Sequence, residues 1–300
     1  MISVVGDSIC DEYRAYSVAG PNPELDGGRK LTQIAPTGRV LGGAAAVANQ
    51  IGRMGQRVLL SSVVGNDASG RWLCDELDVL GIGTHVFSSD SRLTTTKTRI
   101  SIDGELHADR FDSEDNLDAN ASESLHLCRS PVGGVLVIQD YGKGLCTHNV
   151  CSWLIEKANA RMVPVLVDPA IDVKWEKYEG CSLIKANLVE AREAARLPDA
   201  GMEELSQLLS CLHGCEVVVT SGEDGMAYCS KGGPVFTFPS IPTVVCDVCG
   251  AGDAVLASLA VSYLQGIPID DACIRATHAA SMQISLHRNP GWLLGSSLAK

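Results

Sequence analysis

The sequence lacks any apolar run approaching the ~20 residues that a helix needs to span a bilayer. It also lacks a charged leader, since a strand-like Ile2-Ser3-Val4-Val5 stands at its start. A cytoplasmic chain with no membrane partner is expected. Positive charge is scarce: 24 of 300 residues are Lys or Arg against 36 Asp or Glu, a formal charge of −12. That field repels nucleic-acid phosphates, and no basic stripe with interleaved aromatics compensates, so nucleic acid is not an expected partner. A small phosphorylated molecule remains admissible, because a local pocket decides its binding. Cys246 and Cys249 form the one Cys-x-x-Cys, with no second pair to complete a zinc site. Of the twelve cysteines, Cys74, Cys128, Cys211 and Cys273 are expected as small core residues of helices. No Gly-x-Gly-x-x-Gly follows the first strand, which removes support for a nicotinamide dehydrogenase. Gly142-Lys143 is no Walker loop, being followed by Gly144 and lacking a glycine five positions earlier. There is no Gly-x-Ser-x-Gly elbow and no convincing histidine cluster, which argues against a hydrolase and a metal centre.

What is present is an alternation of strands and helices. Short Val-rich runs at 2–5, 58–64, 135–138, 163–167 and 217–220 read as buried strands. Between them, 43–54 and 68–80 carry apolar residues at helical spacing and stop at Gly55 and Gly81. Residues 251–265 and 270–286 predict two more long helices. The alternation implies an α/β fold with a parallel sheet covered on both faces. Two stretches interrupt it: 13–40, rich in Pro, Gly and polar groups, and 93–112, which alternates around an Asp103-Gly104 turn. Together they predict a small projecting sheet, either surface decoration or a lid over a site.

The sharpest chemical signal is Asp247-Val248-Cys249-Gly250-Ala251-Gly252-Asp253, where a loop turns into an apolar helix. Small residues admit an anion close to the backbone, and the first amides of a helix have no partners within it. The helix dipole favours negative charge there. The amides of Gly250, Ala251 and Gly252 are therefore candidates to hold a phosphoryl group in flight. Asp253 is a candidate base for the attacking hydroxyl. Read alone, the four residues fit equally well an exposed first-turn acid that merely suits the dipole.

An ordered series of further motifs accompanies this one: Val5-Gly6-Asp7-Ser8-Ile9-Cys10-Asp11, Gly42-Gly43-Ala44-Ala45-Ala46, Asp140-Tyr141-Gly142-Lys143-Gly144, Asp168-Pro169, Asn187-Leu188-Val189-Glu190 preceded by Lys185, and Val219-Thr220-Ser221-Gly222-Glu223-Asp224-Gly225. In this series the chain resembles the ribokinase/phosphofructokinase-B carbohydrate kinase family, from about residue 3 to about residue 288. Within that family the heptose 7-phosphate kinase group is the most similar at 140–144 and 168–180. The resemblance implies a single ribokinase-like domain over 1–300, a doubly wound, mostly parallel sheet with helices on both faces and a small β lid. It implies transfer of the ATP γ-phosphate to a sugar or sugar-phosphate hydroxyl, D-glycero-β-D-manno-heptose 7-phosphate first among acceptors. Mg²⁺ and K⁺ are the implied cations, and a homodimer through the lid the implied assembly. Another sugar or nucleoside kinase, or a non-catalytic sensor on the same fold, are the other readings.

Residue roles follow from the resemblance. Asp7, Asp11, Gly42, Gly43, Asn49, Asp140 and Lys143 are expected at the acceptor, with helix capping the alternative for Asp11 and solvent exposure for Asn49 and Lys143. Lys185, Asn187, Thr220, Gly222 and Gly225 are expected around the nucleotide. Glu190 is expected to organise Mg²⁺ through water, and Asp247 to face a monovalent cation. Lys97, Arg99 and Arg110 on the lid are candidates for a substrate phosphate. The chain departs from the heptose kinase pattern at Ala46, where Asn is usual, at Ala170, where Lys is usual, and at Thr277. Those departures fall on sugar-contact positions and leave the anion loop intact, so phosphoryl transfer is implied more firmly than any one acceptor.

Overall fold

A computed structural model describes residues 1–21, 24, 28–35 and 37–285. The rest of the expected 13–40 excursion, and residues 286–288 of the resemblance, lie outside the described residues.

The five short continuous apolar runs at 2–5, 58–64, 135–138, 163–167 and 217–220 fall on strands of the main sheet, as the sequence predicts, and four further strands complete it. Its strands are β1 (Ile2–Gly6), β5 (Val58–Gly65), β6 (Gly83–Ser89), β9 (Val135–Gln139), β10 (Val165–Asp168), β11 (Leu183–Asn187), β12 (Glu216–Thr220), β13 (Met226–Cys229) and β14 (Val235–Phe238). The order is β14-β13-β12-β11-β10-β9-β1-β5-β6, parallel except near one edge, where β13 runs antiparallel to both β12 and β14. Val4, Val137, Leu166 and Val218 point into one core, while Val5, Ile138, Val167 and Val219 point into the other. The first core is covered by α1 (Ala44–Arg53), α2 (Ala68–Val79), α7 (Ala251–Gln265) and α8 (Ile269–Ile284). The second is covered by α3 (Ala121–Cys128), α4 (His148–Asn159), α5 (Leu188–Ala195) and α6 (Met202–His213). Residues 253–262 of α7 are all buried, which is why that helix reads as apolar on every side. No helix among the described residues is long and apolar enough to cross a membrane.

From β1 the chain winds outward through β5 and β6, then returns to pair β9 against the other side of β1. This reversal opens a crevice beyond the carboxyl ends of β1 and β9, the usual ligand position in such sheets. Over it stands a second sheet, of β3 (Arg29–Gln33), β2 (Ser8–Pro21), β7 (Thr96–Ile102) and β8 (Glu105–Ser113), with β4 (Gly38–Gly43) also on β2. Asp103 and Gly104 connect β7 to β8 with φ of 52° and 86°, the positive pair that a two-residue hairpin turn needs. Among the four cysteines expected in helix cores, Cys273 is buried, Cys74 and Cys128 are half-buried, and Cys211 is exposed. Helical spacing alone did not separate its face from the buried face of α6.

Gly43 joins the two sheets. It lies at φ 58°, where a Cβ would overlap the carbonyl oxygen of Asp7, and the Ala44 N–H donates to that same oxygen at 2.9 Å. Gly43→Ala is expected to cost about 2–3 kcal/mol, from left-handed strain plus the clash. Urea unfolding checks this; an unchanged midpoint contradicts it.

Candidate active site

A cavity of about 770 Å³ lies beyond the ends of β9–β12, under β7 and β8. The start of α7 forms one wall. Gly250 caps that helix at φ 75°, a left-handed conformation that suits glycine. Of the three amides expected to be open there, Ala251 N–H reaches the Val248 oxygen at 3.4 Å. No acceptor within the described residues is recorded for the N–H groups of Gly250 and Gly252. Two free donors and the helix dipole thus face the cavity. Asp253 follows in the first turn, 4% exposed, and accepts a hydrogen bond at Oδ1 from the Tyr141 hydroxyl at 3.2 Å. The structure therefore sets aside the exposed first-turn acid, since Asp253 is buried at the wall of the cavity.

Opposite lies a cluster of charge. Lys185, 3% exposed, donates from Nζ to Asp168 Oδ2 at 2.7 Å. A Cβ on Gly252 would lie 2.9 Å from that ammonium, so glycine is what lets the lysine sit against the anion loop. Burial works against the lysine's charge, but Asp168, Glu190 and Asp253 outweigh it and raise its pKa. Burial, and then repulsion by Asp168, push the Glu190 carboxyl up to about 7. Carboxylates crowded in this way against a cavity are a donor set that fits a hard, oxygen-seeking cation such as Mg²⁺. Asn187 lines the same cavity. Its Oδ1 accepts from Val189 N–H and Glu190 N–H, while Glu190 Oε2 accepts from Asn187 N–H at 2.8 Å. The pair is a capping box that orients Glu190 at the start of α5.

Asp7 departs from expectation. Only 1% exposed, it accepts main-chain hydrogen bonds from Tyr141 (2.8 Å), Lys143 (3.2 Å) and Leu145 (3.2 Å). Its carboxylate organises the loop after β9 and is not presented to an acceptor. Burial first, then Asp140, raises its pKa. Asp140 lines the cavity but is itself held by the Tyr178 hydroxyl, the Lys177 ammonium and the Gly142 N–H. Asp7, Asp140 and Cys146 are close enough to suggest a metal site. These donors already satisfy both carboxylates, so an ion would displace a lysine and several amides.

At the lid end, Asp11 pairs with Arg99 at 2.7 Å, and Gly42 lets that carboxylate pack against its Cα, since a Cβ would lie 2.5 Å from Oδ2. Arg99 also points a nitrogen at Cys249 Sγ (3.9 Å), tying β7 to the anion loop. The candidate phosphate ligands therefore change. Arg99 does not line the cavity, whereas Lys97, Arg110 and Lys143 do. Lys97 has no carboxylate partner among the described residues; its ammonium rests 5.0 Å from the centre of the Tyr141 ring. Burial, and then Arg110, lower its pKa, with Lys143 adding to the repulsion. Arg110 is paired with Asp112 and Lys143 with Glu114, each at 2.7 Å.

A second cavity of about 610 Å³ adjoins the first and shares Thr220, Gly222 and Gly252 with it. Met226, Ile241, Val255 and Ile284 make its walls mostly apolar, and Gly225 also lines it. Such a slot beside an anion loop suits a nucleotide base.

The pfkB family carbohydrate kinase profile matches residues 11–288. The chain belongs to that family. It is 33% identical over 300 residues to a bifunctional protein HldE of Azorhizobium caulinodans, covering 95% of this chain and 60% of that protein. A bifunctional HldE of Gluconobacter oxydans is 33% identical with the same coverage. The chain thus spans about 60% of the length of the curated relatives it matches. In fold it is similar to Arabidopsis thaliana ribokinase complexed with ribose and ATP, with a TM-score of 0.75, 19% identity and 95% and 92% of the two chains covered. It is also similar to the tetrameric inhibited form of Escherichia coli phosphofructokinase-2, with a TM-score of 0.77, 16% identity and 95% and 94% covered.

For this pfkB-family chain the structure brings together Gly250, Gly252, Asp253, Lys185, Asn187, Glu190, Thr220, Gly222, Asp140 and Lys143. Asn49 is not brought there. It lines a separate cavity with Met1, Val58 and Gly83, at the amino ends of the parallel strands and so at the opposite edge of the sheet. Asn49 lies in the second turn of α1, and that helix runs away from the site. Asp247 folds back to accept the Cys249 N–H at 2.9 Å, shaping the turn before the anion loop. Sequence reasoning assigned no role to Tyr141 or Asp168, although both stood in the motifs that carried the resemblance.

Proposed function

We propose that this protein transfers the γ-phosphate of ATP to a hydroxyl of a phosphorylated sugar, with D-glycero-β-D-manno-heptose 7-phosphate and its 1-hydroxyl the preferred choice. The observation that carries the reading is the buried Asp253 carboxylate standing beside the open amides of Gly250 and Gly252 in one cavity. Asp253 takes the proton from the acceptor hydroxyl as the oxygen attacks. The two amides and the Lys185 ammonium stabilise charge on the transferring group. Thr220, Gly222 and Gly225 frame the nucleotide, with the base in the adjoining apolar slot. Glu190 would hold Mg²⁺ beside the nucleotide, and that ion would neutralise charge on the ATP phosphates. On the lid side Lys97 offers the acceptor's own phosphate a cation, with Arg110 and Lys143 beside it in their pairs with Asp112 and Glu114. A second copy docking through the lid belongs to the same reading, since β3 is exposed along its whole length at the edge of that sheet.

The test is ADP release over a panel of sugars and sugar phosphates. Turnover is expected to favour phosphorylated acceptors, and Lys97→Met to raise KM for them roughly tenfold to a hundredfold, as for loss of a charge-assisted hydrogen bond. KM for ATP should stay unchanged. Equal efficiency on unphosphorylated sugars, with Lys97→Met neutral, points instead to a ribose- or fructose-type acceptor.

A further inference from the structure

We infer that Tyr141 is a positioning residue for the proton-accepting carboxylate, its phenol holding Asp253 toward the acceptor hydroxyl and setting the acid limb of the rate profile. The inference rests on the reading of Asp253 as the base. Tyr141 donates to Asp253 Oδ1 at 3.2 Å, a bond that joins the loop after β9 to the first turn of α7 across the cavity. That loop cannot drift. Three of its amides are fastened to the buried Asp7, the Asp140 N–H donates to the Asp168 oxygen at 3.0 Å, and Gly142 N–H donates to Asp140 Oδ1 at 2.7 Å. The buried aspartate of the amino-terminal motif therefore acts on the chemistry at one remove, by fixing the backbone of Tyr141.

The electrostatics make the phenol a constant donor. Burial first, then Asp253 and Asp168, push its pKa well above the ordinary tyrosine value, so it stays protonated at any working pH. The Lys97 ammonium over its ring withdraws electron density and strengthens the O–H as a donor. Lys185 on β11 attracts Asp253, Asp168 on β10 repels the ionised phenol, and Glu190 on α5 reaches the group only through Lys185. Asp11 on β2 faces the phenol from the lid side. α1 opens with Ala44–Ala48 and α8 closes with Gln283 and Ile284, all uncharged. A neutral donor at Oδ1 favours the anionic form of Asp253 without adding charge to the site.

Tyr141→Phe removes only the hydroxyl. Plateau kcat is expected to fall about tenfold, as for a hydrogen bond to a charged group. The midpoint of the acid limb should rise by about half to one pH unit, with KM for ATP within about twofold. Replacing Tyr141 by 3-fluorotyrosine, whose phenol is the stronger donor, should move the midpoint down. These opposite displacements are what a merely structural role would not produce. Should the phenylalanine enzyme melt early, the fluorotyrosine enzyme decides alone. An unshifted midpoint in the folded variant, or shifts of one sign in both, overturns the inference. Asp253→Asn assayed in parallel separates the two failures: an active Asn enzyme sinks the base itself, while an inactive one beside an unshifted Tyr141→Phe enzyme sinks only the tyrosine.

Discussion

Asp253→Asn is expected to lower kcat on the order of 10³-fold or more while leaving ATP affinity within a few fold. The substitution keeps shape and removes the negative charge together with the capacity to take a proton. At 4% exposure the carboxylate sits where bulk water cannot easily replace it as base. Asparagine is also acceptable in the first turn of α7, so the Gly250 and Gly252 donors should remain in place. The apolar slot proposed for the nucleotide base is not lined by Asp253. ADP release under single-turnover conditions, with ATP binding measured by calorimetry, checks both halves. A joint loss of binding and turnover would mean that the carboxylate holds the loop together rather than receives a proton.

Lys185→Met should produce the second large effect, on stability and rate together. Its ammonium pairs with Asp168 and lies within electrostatic reach of Glu190 and Asp253, all beside the anion loop. Removing it leaves Asp168 buried without its cation, a loss of about 3–5 kcal/mol. In the proposed reaction it also removes a fixed positive charge beside the phosphoryl group, for an expected fall in kcat on the order of 10²-fold or more. Because the lysine's pKa is raised in the folded state, the pair's contribution is complete below the ordinary lysine pKa and fades only as pH rises through the folded value. The stability difference between the two enzymes should therefore be the same at pH 7.5 and pH 9 by urea unfolding. A difference below about 1 kcal/mol would contradict a buried, partnered ammonium.

How much of this was legible follows from the range of the physics involved. Val4 and Val5 facing opposite cores, or Gly250 at φ 75° opening α7, express periodicity and backbone freedom, and both are local. The opening of α7 at Gly250 could be read because it depends on the main chain alone. Asp7 could not, because its partners are amides more than 130 positions away. Lys185 meets Asp168 across neighbouring strands, and no spacing rule in the sequence announces that pair. Asn49 failed for a geometric reason: it lies in the second turn of α1 and lines a separate cavity at the amino ends of the strands. Arg99, Lys97 and Lys143 all looked like free cations in the sequence. Register and packing decide that the first is spent on Asp11, the second stays free over Tyr141, and the third is held by Glu114.

Phosphorus NMR of the protein mixed with ATP, Mg²⁺ and D-glycero-β-D-manno-heptose 7-phosphate tests the central claim most directly. Loss of the γ resonance in step with new ADP signals and a second sugar-phosphate resonance is the predicted result. Persistent ATP across the whole sugar-phosphate panel, or inorganic phosphate as the sole new product, would contradict it.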